Sequence, residues 1–380
     1  MNSNKSHVKT TLNLSEWSEK AVKDIAEIVG GGTPSTKISE YWNGNIPWIT
    51  PKDLSMQQRK YICKGLRNIT IDGLNKSSAK IIPLNSIILS TRAPIGYIAI
   101  SKRDITTNQG CHSLIPSDGT DTEFLYYLIL NNVNYLKSQS NGSTFDELSA
   151  KVLSKLEFAL PNLKEQKAIA KILSDLDSKI ELNEKMNKTL EAIAQAIFKH
   201  WFIDFEFPDE EGKPYKSSGG EMVDSGLGKI PKRWTVEVTG NIINAVRGVS
   251  YRSNQLKASK NALVTLKSIK RGGGFTKAGF KPYSGDYKND QVLNSKDIII
   301  AFTDLTQLAE VIGRPAMVVE TDEYRRIIPS MDIGIIKFKD NFPFKFFIYQ
   351  LMKSESFHSH LLGYVNGTTV LHLSNEGVRT

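Results

Sequence analysis

The residues best suited to chemistry in the first half of the chain lie in short turns rich in Gly, Ser and Thr. Hydroxyls and amides on bent loops can contact phosphates, and Arg, Asn and Gln have the geometry that distinguishes guanine or adenine in the major groove. The run 31–35 is expected to add exposed amides. Asn and Gln beside Gly are also common turn residues, and Trp48 is predicted to lie in a core rather than to stack on a base. The candidates for DNA contact are Thr33, Ser35, Thr50, Lys52, Arg92, Asn108 and Gln109.

The second half carries corresponding candidates in a strongly basic stretch. Residues 231–281 hold eleven Lys and Arg and one acid. Eleven minus one gives this stretch a net charge of +10, which exceeds the +9 of the whole chain. Lys and Arg that neutralise phosphates release counterions, so this block is interpreted as a nucleic-acid footprint, with a well-solvated surface as the alternative. Its candidates, with one from the later run 303–307, are Arg247, Ser250, Tyr251, Lys267, Lys270, Arg271 and Thr303.

No constellation of residues indicates catalysis. The Gly-rich run 30–37 lacks the Gly-Lys-Ser/Thr ending of a phosphate-binding loop, and Pro34 removes one backbone donor. Asp209, Glu211 and Lys213 imitate a nuclease pattern, but the two acids lie two positions apart in a linker, where no strand supports a metal site. The six His show no ligand spacing that fits a helix. The sequence therefore predicts no catalytic residue, no metal and no cofactor.

Composition places the chain among cytoplasmic globular proteins. Its 380 residues, 40% hydrophobic and 23% charged, favour two or three domains. Cys63 and Cys111 are too few for a disulfide framework, so a reducing cytosol is expected. No apolar run approaches the roughly 18 residues of a membrane span, and the first residues lack the hydrophobic core of a signal peptide. Secreted and membrane classes are excluded on these grounds.

A long helix is predicted over residues 163–201, which contain no Pro or Gly. Asn162 is its expected N-cap, and Glu165 completes a capping box. At about 1.5 Å per residue such a helix extends roughly 57 Å, which suits a spacer or a dimerisation arm. A narrow apolar seam, interrupted by Asn183 and Asn187, predicts packing against another helix. The seam consists of Ile169, Leu173, Leu176, Ile180, Leu190 and Ile197.

Two similar segments flank this helix. The matches between them are Trp17 with Trp234, 84–90 with 293–301, 124–130 with 346–352, and the Asn-Gly at 141–142 with that at 366–367. Four matches in the same order indicate two copies of one domain with loop insertions. The predicted fold class is α+β, with two pseudo-repeated α/β domains separated by a long coiled-coil-type helix. The expected boundaries are 1–160 for the first domain, 161–203 for the helix, 204–230 for a linker and 231–380 for the second domain.

These features together resemble the DNA specificity (S) subunit of type I restriction–modification systems. The motifs are GGTPS at 31–35, STRAPIG at 90–96, TNQG at 107–110, and RGVSY and LVTLKSIKRGGGF in the second copy. Residues 160–195 resemble the family's central conserved helix, its most specific signature. The resemblance implies a non-catalytic subunit whose two target-recognition domains each recognise half of a bipartite site in double-stranded DNA. It also implies that the helix spaces the halves and docks two modification (methyltransferase) subunits, which a restriction (translocase and endonuclease) subunit joins.

The end of the chain departs from the family pattern. A second conserved helix follows the second recognition domain in that family, whereas Arg379 and Thr380 align to a point before such a helix begins. That helix is therefore expected to be absent. The seam is then expected to be covered by a second copy of the chain, a second S fragment or a modification subunit. A truncated or phase-varied S fragment that acts mainly as a protein-interaction scaffold is the alternative function.

Overall fold

Two compact units make up the protein, whose structure is a computed structural model. It describes residues 17–57, 59–92, 94–140, 146–306, 308–339 and 342–380. One unit is Met1–Glu184 and the other Lys185–Thr380, so the boundary falls within the long helix. No helix in the described ranges is long and apolar enough to cross a membrane. The Asn-Gly pair at 141–142 and Gln307, which belong to predicted features, lie outside those ranges.

The first unit is built on a five-stranded sheet in the order β2-β9-β6-β7-β4, with smaller sheets β5-β3-β8 and β1-β10. Its strands are β1 Ser18–Ala21, β2 Ala26–Gly30, β3 Trp42–Ile49, β4 Tyr61–Ile62, β5 Arg67–Ile69, β6 Ile87–Ser90, β7 Ile98–Ser101, β8 Thr106–Thr107, β9 Cys111–Pro116 and β10 Glu157–Leu160. Its helices are α1 Val22–Ile25, α2 Pro51–Met56, α3 Ile71–Asn75, α4 Thr122–Asn131, α5 Val133–Ser138, α6 Ala150–Leu153 and the start of α7 Leu163–Phe198.

The second unit contains a four-stranded sheet in the order β13-β20-β16-β18, with smaller sheets β15-β14-β19, β17-β22-β21 and β11-β12. Its strands are β11 Met222–Ser225, β12 Gly228–Pro231, β13 Ile243–Arg247, β14 Asn261–Val264, β15 Phe280–Pro282, β16 Ile298–Ala301, β17 Thr303–Asp304, β18 Pro315–Met317, β19 Arg326–Pro329, β20 Ile333–Phe338, β21 Val365–Asn366 and β22 Leu371–Leu373. Besides the end of α7, its helices are α8 Thr239–Ile242, α9 Lys345–Lys353 and α10 Glu355–Leu362.

The two units repeat one topology. The order β2-β9-β6-β7 in the first corresponds to β13-β20-β16-β18 in the second. In the smaller sheets, β3 pairs antiparallel with β5 and parallel with β8, and β14 does the same with β15 and β19. A helix, α4 or α9, follows the equivalent strands β9 and β20. The predicted fold class of two pseudo-repeated copies with a long helix is therefore confirmed.

Each main sheet is buried on both faces, which explains the uninterrupted apolar runs of its central strand. Successive side chains of a strand point to opposite faces. In β6, Ile87 belongs to the core that contains residues of α4, whereas Ile88 belongs to a second core with Ile49. In β16, Ile298 and Ile299 divide in the same way between two cores of the second unit. Such strands need mostly apolar residues, as the run IILS at Ile87–Ser90 and the run IIIA at Ile298–Ala301 show.

The long helix α7 begins with the predicted N-cap, because the Asn162 Oδ1 atom accepts a hydrogen bond of 3.1 Å from the Glu165 amide. The Glu165 carboxylate, predicted to complete a capping box, accepts a 3.2 Å hydrogen bond from the Trp17 indole. Of the predicted seam, Ile169 packs against the core of the first unit and Leu173 is half-buried. The other four side chains are exposed: Leu176 57%, Ile180 56%, Leu190 59% and Ile197 44%. Within the described ranges, no segment of the chain buries these four. Their packing against another helix stays a prediction.

A polar network fixes the start of α7 to the first unit. Lys60, whose side chain is only 5% exposed, lies 3.2 Å from the Glu123 carboxylate and donates a 2.9 Å hydrogen bond to the Ser174 hydroxyl of α7. Tyr61 and Ser174 donate hydrogen bonds to the same carboxylate, and Tyr127 donates to Asp177. Burial opposes ionisation of Glu123, but these hydroxyl bonds and the charge of Lys60 outweigh it and lower the pKa of Glu123.

The last turns of α7 are held in the second unit by different chemistry. Lys353 of α9 forms an ion pair with Glu191, and the Gln195 amide donates a hydrogen bond to Gln350 of the same helix. Phe198 packs against Phe347, with ring centroids 5.4 Å apart. The helices α4 and α9 are equivalent, because each follows the second strand in the order of its main sheet. Each copy therefore contacts α7 through the equivalent helix.

Candidate nucleic-acid interface

Four loops of the first unit meet at one end of its main sheet. The Gly31 amide donates to the Cys111 carbonyl at 3.4 Å, and the Gly32 amide donates to Thr107 at 2.8 Å. The Asn108 amide donates to Ile49 at 2.9 Å. A further bond of 2.9 Å from the amide at position 91 to the carbonyl at position 110 adds the loop after β6. We call this set of residues, 31–35, 49–53, 91–92 and 107–110, the first loop junction.

The second unit builds the same junction with the same hydrogen bonds. Gly248 donates to Ile333 at 3.0 Å and Val249 to Pro329 at 2.8 Å, in the places of the Gly31 and Gly32 bonds. Ser330 donates to Val264 at 2.8 Å, as Asn108 does to Ile49. The amide at position 302 donates to the carbonyl at 332 at 2.8 Å. We call residues 248–252, 264–267, 302–305 and 329–333 the second loop junction.

Glycine is required at equivalent positions of the two junctions. A Cβ atom on Gly31 would lie 2.0 Å from the Asn108 carbonyl oxygen, and one on Gly248 would lie 2.1 Å from that of Pro329. The expectation that run 31–35 offers exposed amides is wrong for Gly31 and Gly32, because both donate inside the junction. Trp48 is buried and donates a 2.9 Å hydrogen bond to the Gly32 carbonyl, so its predicted core position is confirmed.

The structure brings several first-copy candidates together. The Thr33 hydroxyl donates a hydrogen bond to Gln109, which is exposed. The Asn108 side chain accepts a 3.1 Å bond from the Gly110 amide and holds the turn. Ser35, Lys52 and Arg92 are also exposed, and Arg92 lies 3.9 Å from Glu147. Thr50 is occupied differently, because its hydroxyl and amide form a capping box with Asp53 at the start of α2.

The second-copy candidates divide into exposed and engaged residues. Ser250, Lys267, Lys270 and Arg271 are exposed, and Tyr251 is half-buried beside a small core. Arg247 donates a 3.0 Å hydrogen bond to the Leu373 carbonyl, and its guanidinium lies 4.0 Å from the Phe302 ring centroid. Burial lowers the pKa of Arg247. Thr303 is buried, and its hydroxyl donates to Asp332 at 3.0 Å. The placement of Arg247 and Thr303 favours a structural role for both.

The basic turn at 270–274 is rigidly connected to the loop that follows β17. Gly272, Gly273 and Gly274 all have positive φ, which glycine adopts without strain. The Gly272 amide donates to the Glu310 carbonyl at 3.0 Å, and Arg271 lies 3.3 Å from the Glu310 carboxylate. The basic turn therefore has a defined hydrogen-bonded geometry.

Asp304 lies in the candidate run 303–307, but sequence reasoning did not identify its role, which is to organise that loop. Its carboxylate accepts bonds from the Thr306 amide and hydroxyl at 2.8 and 2.9 Å, and from the Val311 and Ile312 amides at 2.8 and 3.2 Å. Burial opposes its ionisation, but these bonds prevail and lower the pKa of Asp304. The bond to Thr306, two positions on, is a turn pattern that a sequence can signal, whereas the Val311 and Ile312 amides lie seven and eight positions downstream and leave no such signal.

The described part of the chain contains no group of three or more His, Cys, Asp or Glu side chains that could hold a metal ion. His358 and His360 illustrate this. His358 lies 3.1 Å from the Ile312 carbonyl, inside the unit, whereas His360 is exposed beside the hydroxyl of Thr380. What the two junctions offer chemically is hydrogen bonding, positive charge and exposed side chains on fixed loops.

Comparisons with known proteins give consistent relatives. Residues 14–192 match the family model for the type I restriction modification DNA specificity domain. The type I restriction enzyme MjaIX specificity subunit of Methanocaldococcus jannaschii is 42% identical over 290 residues, 75% of this chain and 65% of the relative. The HindI specificity subunit of Haemophilus influenzae is 32% identical over 149 residues, 38% and 32% of the two chains. The chain thus covers less than two thirds of either relative.

Solved structures also align over most of the chain, as the following example shows. It is the S subunit of a type I restriction-modification system from M. genitalium, which covers 98% of this chain and 88% of its own. The sequence identity is 14% and the TM-score is 0.48.

Proposed function

Because the chain belongs to the family of type I restriction–modification DNA specificity subunits, we propose that it is the sequence-specific, non-catalytic DNA-binding subunit of such a complex. Each unit recognises one half of a bipartite site in double-stranded DNA. The observation that carries this proposal is the loop junction, which is built twice with the same backbone hydrogen bonds. Two equivalent binding surfaces on one chain suit a target in two halves.

The exposed residues of the two junctions and the basic turn divide into those that suit phosphates and those that suit base edges. The exposed cations Lys267, Lys270 and Arg271 suit phosphates, which position a protein on the duplex without selecting a sequence. Gln109 and Arg92 of the first junction are exposed and suit base edges. Lys52 and Lys267 stand at equivalent positions, each three residues after the carbonyl at 49 or 264 that closes its junction.

The helix at 161–203 serves as the spacer and the protein-binding element. Its exposed apolar side chains, among them Leu176, Ile180 and Leu190, suit contact with other chains. We assign this surface to the modification subunits and to a second copy of the chain or a second S fragment. A restriction subunit completes the assembly, which works in the cytoplasm.

Charge reversal tests the proposed DNA surface in the assembled complex. The triple variant Lys267→Glu, Lys270→Glu, Arg271→Glu is expected to weaken binding on any DNA sequence and to flatten its salt dependence. The matched control reverses Lys20, Lys151 and Lys155, three exposed lysines of the first unit that lie outside its loop junction. Lys20 is on β1, and Lys151 and Lys155 are in or just after α6. Equal affinity for the triple variant and the wild type, measured by fluorescence anisotropy at several salt concentrations, contradicts the assignment of the second unit.

A protein-interaction scaffold is the second candidate function, favoured by the exposed apolar residues of α7. A scaffold would retain its partners while the bound complex showed no preference among DNA sequences. Sequence selection by the assembled complex, scored on a random-sequence DNA library, separates the two functions. Enrichment of one bipartite motif supports the specificity subunit.

A further inference from the structure

The second loop junction presents an apolar side chain where the first presents an amide. The bonds Asn108–Ile49 and Ser330–Val264 fix the correspondence, so that Gln109 and Met331, one residue further on, occupy equivalent positions. Met331 is 49% exposed, and its own amide donates a 2.8 Å bond to the carbonyl at position 249. Its backbone is therefore fixed while its thioether side chain faces outward.

Two further exposed apolar side chains lie on the loop that follows β17. Leu305 and Leu308 are 74% and 79% exposed, although large apolar groups are normally buried. Their loop is held by the Asp304 carboxylate, which accepts hydrogen bonds from both ends of the loop. Asp332, next to Met331, accepts the Thr303 hydroxyl at the start of the same loop. This bond ties the start of the loop to the residue that follows Met331.

The charge around these side chains indicates what covers them. The basic turn at 270–274 is hydrogen-bonded to the loop through the Glu310 carbonyl and carries Lys270 and Arg271. Exposed apolar side chains on a junction whose neighbouring turn carries exposed cations suit a DNA base flanked by phosphates better than an apolar protein surface. On the major-groove edge of DNA, the 5-methyl group of thymine is the apolar contact available.

We infer that Met331, supported by Leu305 and Leu308, recognises the 5-methyl group of a thymine in the half-site bound by the second unit. This inference rests on the proposed function and makes it more specific. The two copies then recognise DNA by different chemistry on one backbone frame. The first uses hydrogen bonds from residues such as Gln109, and the second uses apolar contact.

The test removes the apolar group from each side of the contact: the 5-methyl group from the DNA and the thioether from the protein. The target of the assembled complex is first defined by methylation profiling, and duplexes of that target are made with each thymine of the second half-site replaced in turn by deoxyuridine. For the wild-type complex, one replacement is expected to lower affinity about fourfold, the value of one buried methyl-sized group. With Met331→Ala, the same replacement is expected to have no effect.

Gln109→Ala is the matched control, because it alters the equivalent position of the first junction. It should leave the response to deoxyuridine in the second half-site unchanged. Three results overturn the inference: a second half-site without thymine, wild-type affinity that no replacement alters, or a Met331→Ala complex that still distinguishes thymine from uracil. Reduced recovery of modification subunits with Met331→Ala also overturns it, in favour of a protein contact. If the wild-type complex selects no bipartite target at all, the proposed function itself fails.

Discussion

Replacement of Lys60 by methionine should loosen the attachment of α7 to the first unit. The ammonium is nearly buried and lies 3.2 Å from Glu123 and 2.9 Å from Ser174. Removal of one partner from a buried ion pair typically costs about 3–5 kcal/mol. The Glu123 side chain is 31% exposed and keeps hydrogen bonds from Tyr61 and Ser174, which offset part of this cost. We expect the first unit to lose about 2 kcal/mol of stability.

Hydrogen exchange of the full chain, followed by mass spectrometry, measures this loss where it occurs. About 2 kcal/mol corresponds to roughly a 30-fold larger opening constant for peptides of α4 and the start of α7. Peptides of α9 in the second unit serve as the internal control. The double variant Lys60→Met, Glu123→Gln removes both charges and should be less destabilised than the two single effects combined. An exchange rate unchanged in Lys60→Met, or additive effects in the double variant, would refute the reasoning.

Three further predictions concern the junctions and the polar anchors. Gly31→Ala and Gly248→Ala each place a Cβ within 2.1 Å of a backbone carbonyl oxygen, so each should destabilise its own unit by about 1–3 kcal/mol in urea unfolding, with no effect on the other unit. Asp304→Asn should speed exchange of the Val311 amide, since an amide side chain offers one acceptor oxygen instead of two; unchanged exchange contradicts the anchoring role. Because the pKa of Glu123 is lowered from 4.5, its contribution is present above that pH and lost as pH falls through the folded value, so acid should loosen α4 first; equal loss in Glu123→Gln refutes this.

The helix and the repeat could be predicted from the sequence because both leave periodic signals. The absence of Pro and Gly, with Asn162 and Glu165 at the start, marked α7 within a few residues of its observed bounds Leu163–Phe198. The four ordered matches identified the copies because the strands of a doubly buried sheet keep their apolar runs. The equivalent strands β6 and β16 are examples.

The details of the candidate site could not be predicted, because they depend on contacts distant in sequence. Arg247 and Thr303 have the right chemistry for DNA, but the fold engages them inside the second unit. Lys60 and Glu123 meet only after the sheet and α4 have formed, 63 positions apart. Met331 escaped notice because its side chain has no likeness to Gln109, and only the shared backbone hydrogen bonds reveal that their positions are equivalent.

The most direct test of the central claim is the methylation pattern that the chain confers on a genome. The chain is expressed with its modification subunits in a host without DNA methylation, and the modified sites are mapped by single-molecule sequencing. We expect one bipartite motif, two short specific halves at a fixed separation, that disappears when the chain is omitted. Methylation without the chain, or a motif that is a single uninterrupted sequence, would contradict the account.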